Sequence, residues 1–263
     1  MTTIATRNVN GIRAIAKKWL ADWIEHHDLD IICLQETKAF EHQIPSDLQK
    51  LSYDYDYVWH AGSRPWYAGT AIFYKKTFWP SCANNFEGYD MLSEDGRITQ
   101  FCQDDLIVLN GYFPNWGTRA DGTEMLSYKL KFYDEIITYV QDLQAQWYTV
   151  ITTGDFNIVH TERDIARPEA NADSIGFKRV ERAKIGSFMD KTNSLDMRRH
   201  LHPDTIDHYT RWSYRGWARY RNVGRRIDYF MVQEDLESSI ISCEHLDEVM
   251  WSDHCPIVLE LSD

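Results

Sequence analysis

The chain is built from apolar, β-rich runs that stop abruptly at Asn, Asp, Glu or His, with amphipathic segments between many of them. No other feature restricts the fold as much. The run Tyr148-Thr149-Val150-Ile151-Thr152-Thr153 reads as a strand, and it ends in Gly154-Asp155-Phe156-Asn157. Side chains at i and i+2 share one face of a strand, so Asp155 and Asn157 project together just past a buried edge. In open α/β sheets, sites lie at such edges. Taken alone, the tetrapeptide is a turn, because Gly, Asp and Asn are ordinary turn residues. Its repetition along the chain argues for more.

Thr2 to Arg7 predicts a first strand, which ends in Asn8-Val9-Asn10-Gly11. Ile12, Ile15, Trp19, Trp23 and His27 recur at helical spacing and predict a helix. Leu29 to Leu34 is the next strand, and it runs into Gln35-Glu36-Thr37-Lys38, with Glu36 continuing the apolar face of Ile32 and Leu34. Tyr53 to His60 and Gly69 to Tyr74 read as strands joined by a loop over Gly62 to Tyr67. Ile98 to Phe101 and Leu106 to Asn110 form a hairpin around Gln103-Asp104-Asp105, and the second strand delivers Gly111-Tyr112-Phe113-Pro114-Asn115. Leu126, Leu130, Tyr133, Ile137 and Val140 mark an amphipathic helix. From Asn157 to about Phe177 the chain is polar, a long loop of the kind that is functional or mobile. A helix follows over Lys178 to Asp190, and Ile227 to Val232 is a core-like strand containing Asp228, a carboxylate that must be paired if buried. The last strand, Cys255 to Leu261, is preceded by Ser252-Asp253-His254.

No linker, low-complexity tract or short repeat interrupts this order, so residues 1–263 read as one catalytic domain. Strands alternating with helices in two similar halves predict α/β layers, with two sheets packed face to face under helices. No apolar run approaches the ~20 residues of a membrane span, and the N-terminus lacks a signal core. The expectation is a soluble, monomeric, cytoplasmic protein, nucleoid-associated in a prokaryote. The five cysteines are odd in number and widely spaced, which argues against a disulfide framework or a zinc site. Cys33 and Cys255 read as small core residues.

The formal net charge of −12 argues against a polyanionic partner, but its distribution does not. Phe177 to Arg226 carries 13 Lys+Arg against 5 Asp+Glu. Within that stretch, Arg211, Arg215, Arg219 and Arg221 are interleaved with Trp212, Tyr214, Trp217 and Tyr220, which suits a nucleic-acid footprint.

The polar strand ends collect Asn8, Asn10, Glu36, Tyr112, Asn115, Asp155, Asn157, Asp228, Asp253 and His254. These are hard oxygen donors with few nitrogens and no thiolates, a set that favours Mg²⁺ or Mn²⁺ over zinc. A metal beside a His-Asp pair suits phosphate-ester hydrolysis. One carboxylate can deprotonate water, and an imidazole held by Asp228 can donate to the developing oxyanion.

Six segments, in chain order, resemble the motifs of the exonuclease III family of abasic (AP) endonucleases. They are Asn8-Val9-Asn10-Gly11-Ile12-Arg13-Ala14, Gln35-Glu36-Thr37-Lys38, Asn110-Gly111-Tyr112-Phe113-Pro114-Asn115, Gly154-Asp155-Phe156-Asn157, Arg226-Ile227-Asp228-Tyr229-Phe230 and Ser252-Asp253-His254-Cys255-Pro256. The resemblance implies a four-layer α/β sandwich of two mixed β-sheets flanked by helices. It implies Mg²⁺-dependent cleavage 5′ to abasic sites in duplex DNA, together with 3′-phosphodiesterase, 3′-phosphatase or 3′→5′ exonuclease activity on blocked 3′ ends. Under it, Glu36 is the principal metal ligand, with Asn8, Asn10, Asp253 and His254 near it. Asp155 handles the water proton, Asn157 positions the nucleophile or supports a second metal site, and Asp228 backs His254. Tyr112 and Asn115 contact the phosphate, and Asn171, Arg211, Trp212, Arg215 and Arg225 contact DNA. Arg7, Ser174 and Trp251 depart from the usual family residues. Arg211 and Arg225 stand where many relatives wall the sugar pocket with apolar or aromatic groups, which implies an altered lesion preference. Two alternatives share part of the pattern. One is a same-fold phosphodiesterase or phosphatase acting on a non-DNA substrate, and the other is a DNA-binding relative without catalysis.

Overall fold

A computed structural model of the chain describes residues 1–18, 20–115, 117 and 125–262. Trp19 of the first predicted helix lies outside them. Among the described residues the strands are, in chain order, β1 (Thr2–Asn8), β2 (Ile31–Gln35), β3 (Tyr55–His60), β4 (Thr70–Lys75), β5 (Ser81–Ala83), β6 (Ile98–Gln103) and β7 (Leu106–Tyr112). They continue with β8 (Thr149–Asp155), β9 (Ser194–Asp196), β10 (Arg211–Trp212), β11 (Gly224–Arg225), β12 (Asp228–Gln233), β13 (Ile240–His245) and β14 (Ile257–Leu261). Two six-stranded sheets result, ordered β13-β14-β1-β2-β4-β3 and β5-β6-β7-β8-β12-β9, with β10 and β11 forming a separate hairpin. Each sheet is mixed, and its one parallel pair, β1 with β2 or β7 with β8, lies at the centre.

Three apolar clusters make the layers. Ile4, Ile31, Cys33 and Ile72 of the first sheet meet Phe101, Val108, Ile151, Phe230 and Val232 of the second. On the outer face of the first sheet, Ala5, Ile32 and Leu34 pack under α1 (Ile12–Ala16) and α2 (Leu20–His26). The single helix predicted over these residues is two short ones. On the outer face of the second sheet, Leu109, Val150, Tyr229 and Met231 pack under residues of the two longest helices, Leu126–Ala145 and Arg179–Thr192. Alternate residues of the central strands thus feed different cores, as the period-2 geometry requires. The result is the expected four-layer sandwich.

Polar groups cross the central core at one level. Gln35 Nε2 donates to Asn110 Oδ1 at 2.7 Å and to Thr6 Oγ1 at 2.9 Å. Asn110 Nδ2 donates in turn to Leu34 O, Ala71 O and Thr99 Oγ1. This bridge lies one or two residues below Glu36 and Tyr112, so it fixes the two sheets to each other directly under their polar ends. The segment predicted as one long loop after Asn157 contains two short helical turns, Glu162–Asp164 and Pro168–Asn171.

Candidate active site

The strand ends converge because the two parallel pairs expose their C-terminal edges at one end of the sandwich. β1 delivers Asn8, β2 leads into Glu36, β7 ends at Tyr112 and β8 at Asp155. β12 is antiparallel to β8 and begins with Asp228 opposite Asp155, while Tyr112 flanks Asp155 on the other side. β14 is antiparallel to β1, which brings Asp253 and His254, just before its start, to the same edge. Gly154 is obligatory here. Its φ is 129°, and a Cβ would stand 2.0 Å from the Gly111 carbonyl oxygen. Asn10, Glu36, Lys38 and Asn157 all hold left-handed φ between 47° and 53°, so backbone strain gathers around the site.

A cavity of about 230 Å³ results, lined by Glu36, Tyr112, Asp155, Asn157, Asp253, His254, Arg211 and Arg225 among others. Asn115 lines it too. Asn8 Nδ2 donates to Glu36 Oε1 and to Asp155 Oδ2, each at 2.9 Å, and its Oδ1 accepts the Asn10 N–H. Asn8 therefore clamps two carboxylates together; its amide nitrogen, which has no lone pair to offer a metal, faces them. Asp155 Oδ1 accepts the Asn157 N–H at 2.9 Å, and Asn157 Nδ2 donates to Phe113 O. Burial raises the Asp155 carboxyl out of the ordinary carboxylate range, and the nearby Asp228 charge adds to the rise.

His254 Nδ1 donates to the Asp228 carboxylate at 2.9 Å, and Thr210 Oγ1 donates to the same carboxylate at 2.6 Å. Burial opposes charge on the imidazole, but Asp228 outweighs it and raises the His254 pKa to about 9. His254 Nε2 stands 4.0 Å from Asp155 Oδ2, facing the cavity. With Nδ1 held by Asp228, Nε2 is the ring nitrogen left at the cavity: the protonated ring is a donor to a phosphate oxygen, and the neutral ring offers a lone pair to a metal, so both expectations for His254 stand. Burial, then the charges of Glu36 and Asp155, push the Tyr112 phenol well above its usual pKa, so it too is a donor.

The residues fit a hard divalent cation. Lys38 Nζ lies 2.5 Å from Glu36 Oε2 and 2.6 Å from Asn10 Oδ1, so an ammonium already uses these oxygens as a cation site. Asn10 Nδ2 donates to Asp253 Oδ1 at 3.0 Å, which sets a second carboxylate beside them. Asp155, Asp228 and His254 also bring possible ligand atoms within 4.8 Å of one another. Asp228, however, is engaged with His254 and Thr210. Glu36, Asn10 and Asp253, joined through Lys38 and the Asn10 amide, are the better donor set.

The DNA-contact expectations divide. Arg215 is exposed and Arg211 half-buried, with Arg211 Nε 3.4 Å from Asp253 Oδ2. Trp212 is not a surface contact: it is 4% exposed, packs with Tyr209, Ala218 and Cys255, and donates to Asn222 Oδ1. Its alternation with arginines came from a hairpin whose inner face is apolar. Asn171 is also turned inward. Its amide nitrogen donates to Ala166 O and Arg167 O, and its Oδ1 accepts from Arg225. Arg225 donates as well to Ile175 O at 2.7 Å and Ser174 Oγ at 3.1 Å, so the short Ser174 side chain accommodates the arginine. Arg7 and Trp251 also form a pair. Arg7 is 1% exposed, its guanidinium lies 5.6 Å from the Trp251 ring, and it donates to Val249 O and His254 O.

Sequence reasoning passed over the buried Lys129–Glu181 pair. Lys129 Nζ donates to Glu181 Oε1 at 2.7 Å and to Asn157 O at 2.8 Å, and Glu181 Oε2 accepts the Gly176 N–H at 2.9 Å. The available signal was a lysine on the apolar stripe that Tyr133, Ile137 and Val140 continue.

Two sheets, convergent carboxylates and a His-Asp pair at one edge define a hydrolase of phosphate esters. The family model described as "Endonuclease/Exonuclease/phosphatase family" matches residues 5–254, and the chain belongs to that family, in its exonuclease III-type AP endonuclease branch. An exodeoxyribonuclease of Bacillus subtilis is 36% identical over 253 residues, covering 96% of this chain and 96% of the relative. A DNA-(apurinic or apyrimidinic site) endonuclease of Dictyostelium discoideum is 36% identical, covering 97% and 69%. Among solved structures, the AP endonuclease of Leishmania major superposes with a TM-score of 0.87 at 27% identity, covering 100% and 88%.

Proposed function

We propose that this enzyme is a Mg²⁺-dependent DNA repair nuclease that hydrolyses the phosphodiester 5′ to abasic sites in duplex DNA. It acts as a monomer, since one chain carries every group the reaction needs, and Mn²⁺ substitutes for Mg²⁺. The observation that carries this reading is the pair of adjoining hydrogen-bonded groups, one in which Asn8 joins Glu36 to Asp155 and one in which Asp228 holds His254, with His254 Nε2 4.0 Å from Asp155 Oδ2. When bound, the metal offsets charge on the phosphoryl oxygens and eases departure of the leaving oxygen. Glu36, Asn10 and Asp253 would hold it.

Asp155 orients the attacking water and takes its proton. The water oxygen bonds to phosphorus and the bond to the 3′-oxygen of the upstream nucleotide breaks. This leaves a 3′-hydroxyl upstream and a 5′-phosphate on the abasic sugar. His254, Tyr112 and Asn115 donate to the phosphate oxygens, where charge grows in the transition state. Asn157 keeps the water in line.

The same groups serve 3′-phosphodiesterase, 3′-phosphatase and 3′→5′ exonuclease reactions. Arg211 and Arg225 are cross-strand partners that both line the cleft. Asp253 offsets the Arg211 charge at 3.4 Å, whereas Arg225 donates to the neutral oxygens of Ile175, Asn171 and Ser174. Like charges directly opposite each other are unfavourable, which supports a preference for phosphate-bearing 3′ ends over a bare abasic sugar.

The test uses an end-labelled duplex with one tetrahydrofuran abasic analogue. An Mg²⁺-dependent nick 5′ to the analogue, abolished by chelator and by Asp155→Asn, is expected. Phosphate release from inositol phosphates with the duplex left intact would replace this reading with the non-DNA alternative. Metal-independent binding without any cleavage would replace it with the inactive relative. Arg225→Trp should move the ranking of abasic, 3′-phosphate and intact ends toward the abasic analogue, and an unchanged ranking refutes the arginine assignment.

A further inference from the structure

The hairpin of β10 and β11 contributes Arg211 and Arg225 to the cleft, and its connecting loop, residues 213–223, carries three exposed aromatic side chains. Tyr214 is 70%, Trp217 82% and Tyr220 90% exposed. Among the described residues no ring or guanidinium stacks on any of the three, whereas Trp66, on another loop, is covered by Arg13 at 3.7 Å. Exposed aromatics on a wandering loop would mean little. This loop is fixed. Ala218 is buried, Val223 N donates to Ala218 O at 2.8 Å, and Arg221 N donates to Trp217 O. Arg219 lies over the buried Trp212 at 4.4 Å and donates to Ser252 O, Asp247 O and Val249 O. The loop is thereby tied to the segment that carries Asp253 and His254.

Gly216 and Trp217 both hold left-handed φ, 65° and 55°. Glycine adopts this region freely, but a bulky aromatic does so only where the surroundings impose it. The strained backbone projects an indole into solvent, where it has no packing role. Arg215 and Arg221 are exposed on the same loop, and the Arg221 guanidinium lies against Gly216. Exposed π-faces on the same loop as exposed arginines match the chemistry of an unpaired nucleobase on its phosphodiester backbone.

We propose that the loop over residues 213–223 is a stacking platform for unpaired nucleobases, with Trp217 and Tyr220 taking base faces and Arg215 and Arg221 the flanking phosphates. The inference rests on the reading of the cleft as a DNA phosphodiesterase. It adds a specificity for frayed, gapped or single-stranded stretches beside the scissile bond.

The test measures binding of a fluorescein-labelled single-stranded oligonucleotide by the full chain in chelator, across a salt series, together with incision of the fully paired abasic duplex. Trp217→Leu with Tyr220→Leu should weaken single-strand binding by roughly 10-fold or more, the scale of losing base stacking, with the salt slope unchanged. Trp217→Phe with Tyr220→Phe should retain binding, because the π-faces remain. Arg215→Ala with Arg221→Ala should instead flatten the salt slope. Duplex incision should be nearly constant in the leucine variant. Leucine and phenylalanine variants that bind alike, or a leucine variant equal to wild type, overturn the platform. Wild type that fails to incise the duplex counts against the cleft reading instead. A platform that responds only to a protein partner would show no oligonucleotide effect and would likewise overturn the proposal.

Discussion

Replacing Lys129 with Met should separate stability from catalysis. Lys129 and Glu181 are both 0% exposed, and their ion pair spans the helices Leu126–Ala145 and Arg179–Thr192. Truncating one partner of a buried pair strands the other charge and costs about 3–5 kcal/mol. For a chain of this length that lowers the thermal midpoint by about 5–10 °C. The double variant Lys129→Met with Glu181→Leu removes both charges, and apolar replacement of a buried pair is near neutral. Most of the lost midpoint should therefore return. Activity should not return, because Asn157 O and the Gly176 N–H lose the partners that hold them. An unpaired buried backbone group costs about 1–3 kcal/mol, and these two flank the cleft. The assay is a circular-dichroism melt of wild type, single and double variants, with steady-state incision of the abasic duplex at a temperature where all are folded. A single variant melting within about 1 °C of wild type, far short of the shift expected from the buried-pair cost, refutes the energetic argument. A double variant with wild-type kcat refutes the positional one.

Asp228→Asn should lower kcat by about 10²–10⁴-fold, as loss of the group that orients a working imidazole does; incision rates at saturating substrate, at a temperature where the variant is folded, check it. Asp164 supplies an acid-stability test. Burial would raise its pKa, but Arg226 at 2.8 Å, with further help from Arg199, holds it well below the ordinary carboxylate value. A depressed folded pKa stabilises fully above the unfolded value of about 3.9 and is lost as pH falls below it. Asp164→Asn should therefore lower the midpoint at pH 7 and flatten its decline below about pH 4, measured by melts from pH 2 to 7. Arg7→Phe and Trp251→Gly should each reduce incision, whereas the two together, which remove both partners of the contact, should recover it. A double variant less active than both singles would break the assigned pairing.

Much of this molecule is legible along the chain. The apolar runs give the central strands because period-2 burial on both faces needs continuous apolar sequence. Their polar ends give the site, since a residue at a strand terminus keeps a known face. The hairpin at Gln103-Asp104-Asp105 and the helices beginning at Leu126 and near Lys178 follow from turn chemistry and helical spacing. Short elements such as Ser194–Asp196 and Met197–Leu201 carry too few residues to show any period.

Sequence alone determined which side chains could do chemistry: Asp155 and Asn157 beyond Thr153, Glu36 beyond Leu34, His254 before Cys255. It could not determine which of them face one another. Gly154 illustrates the division. As a letter it marks a turn; in the fold it is the point where β8 approaches Gly111 so closely that no side chain fits. Only the tertiary structure turned Asn8 into a clamp between carboxylates, Asn171 and Ser174 into acceptors for Arg225, and Trp212 into core. The physical reason is that identity and face are local, fixed by backbone period, whereas partnership depends on strand order and register between segments distant in the chain.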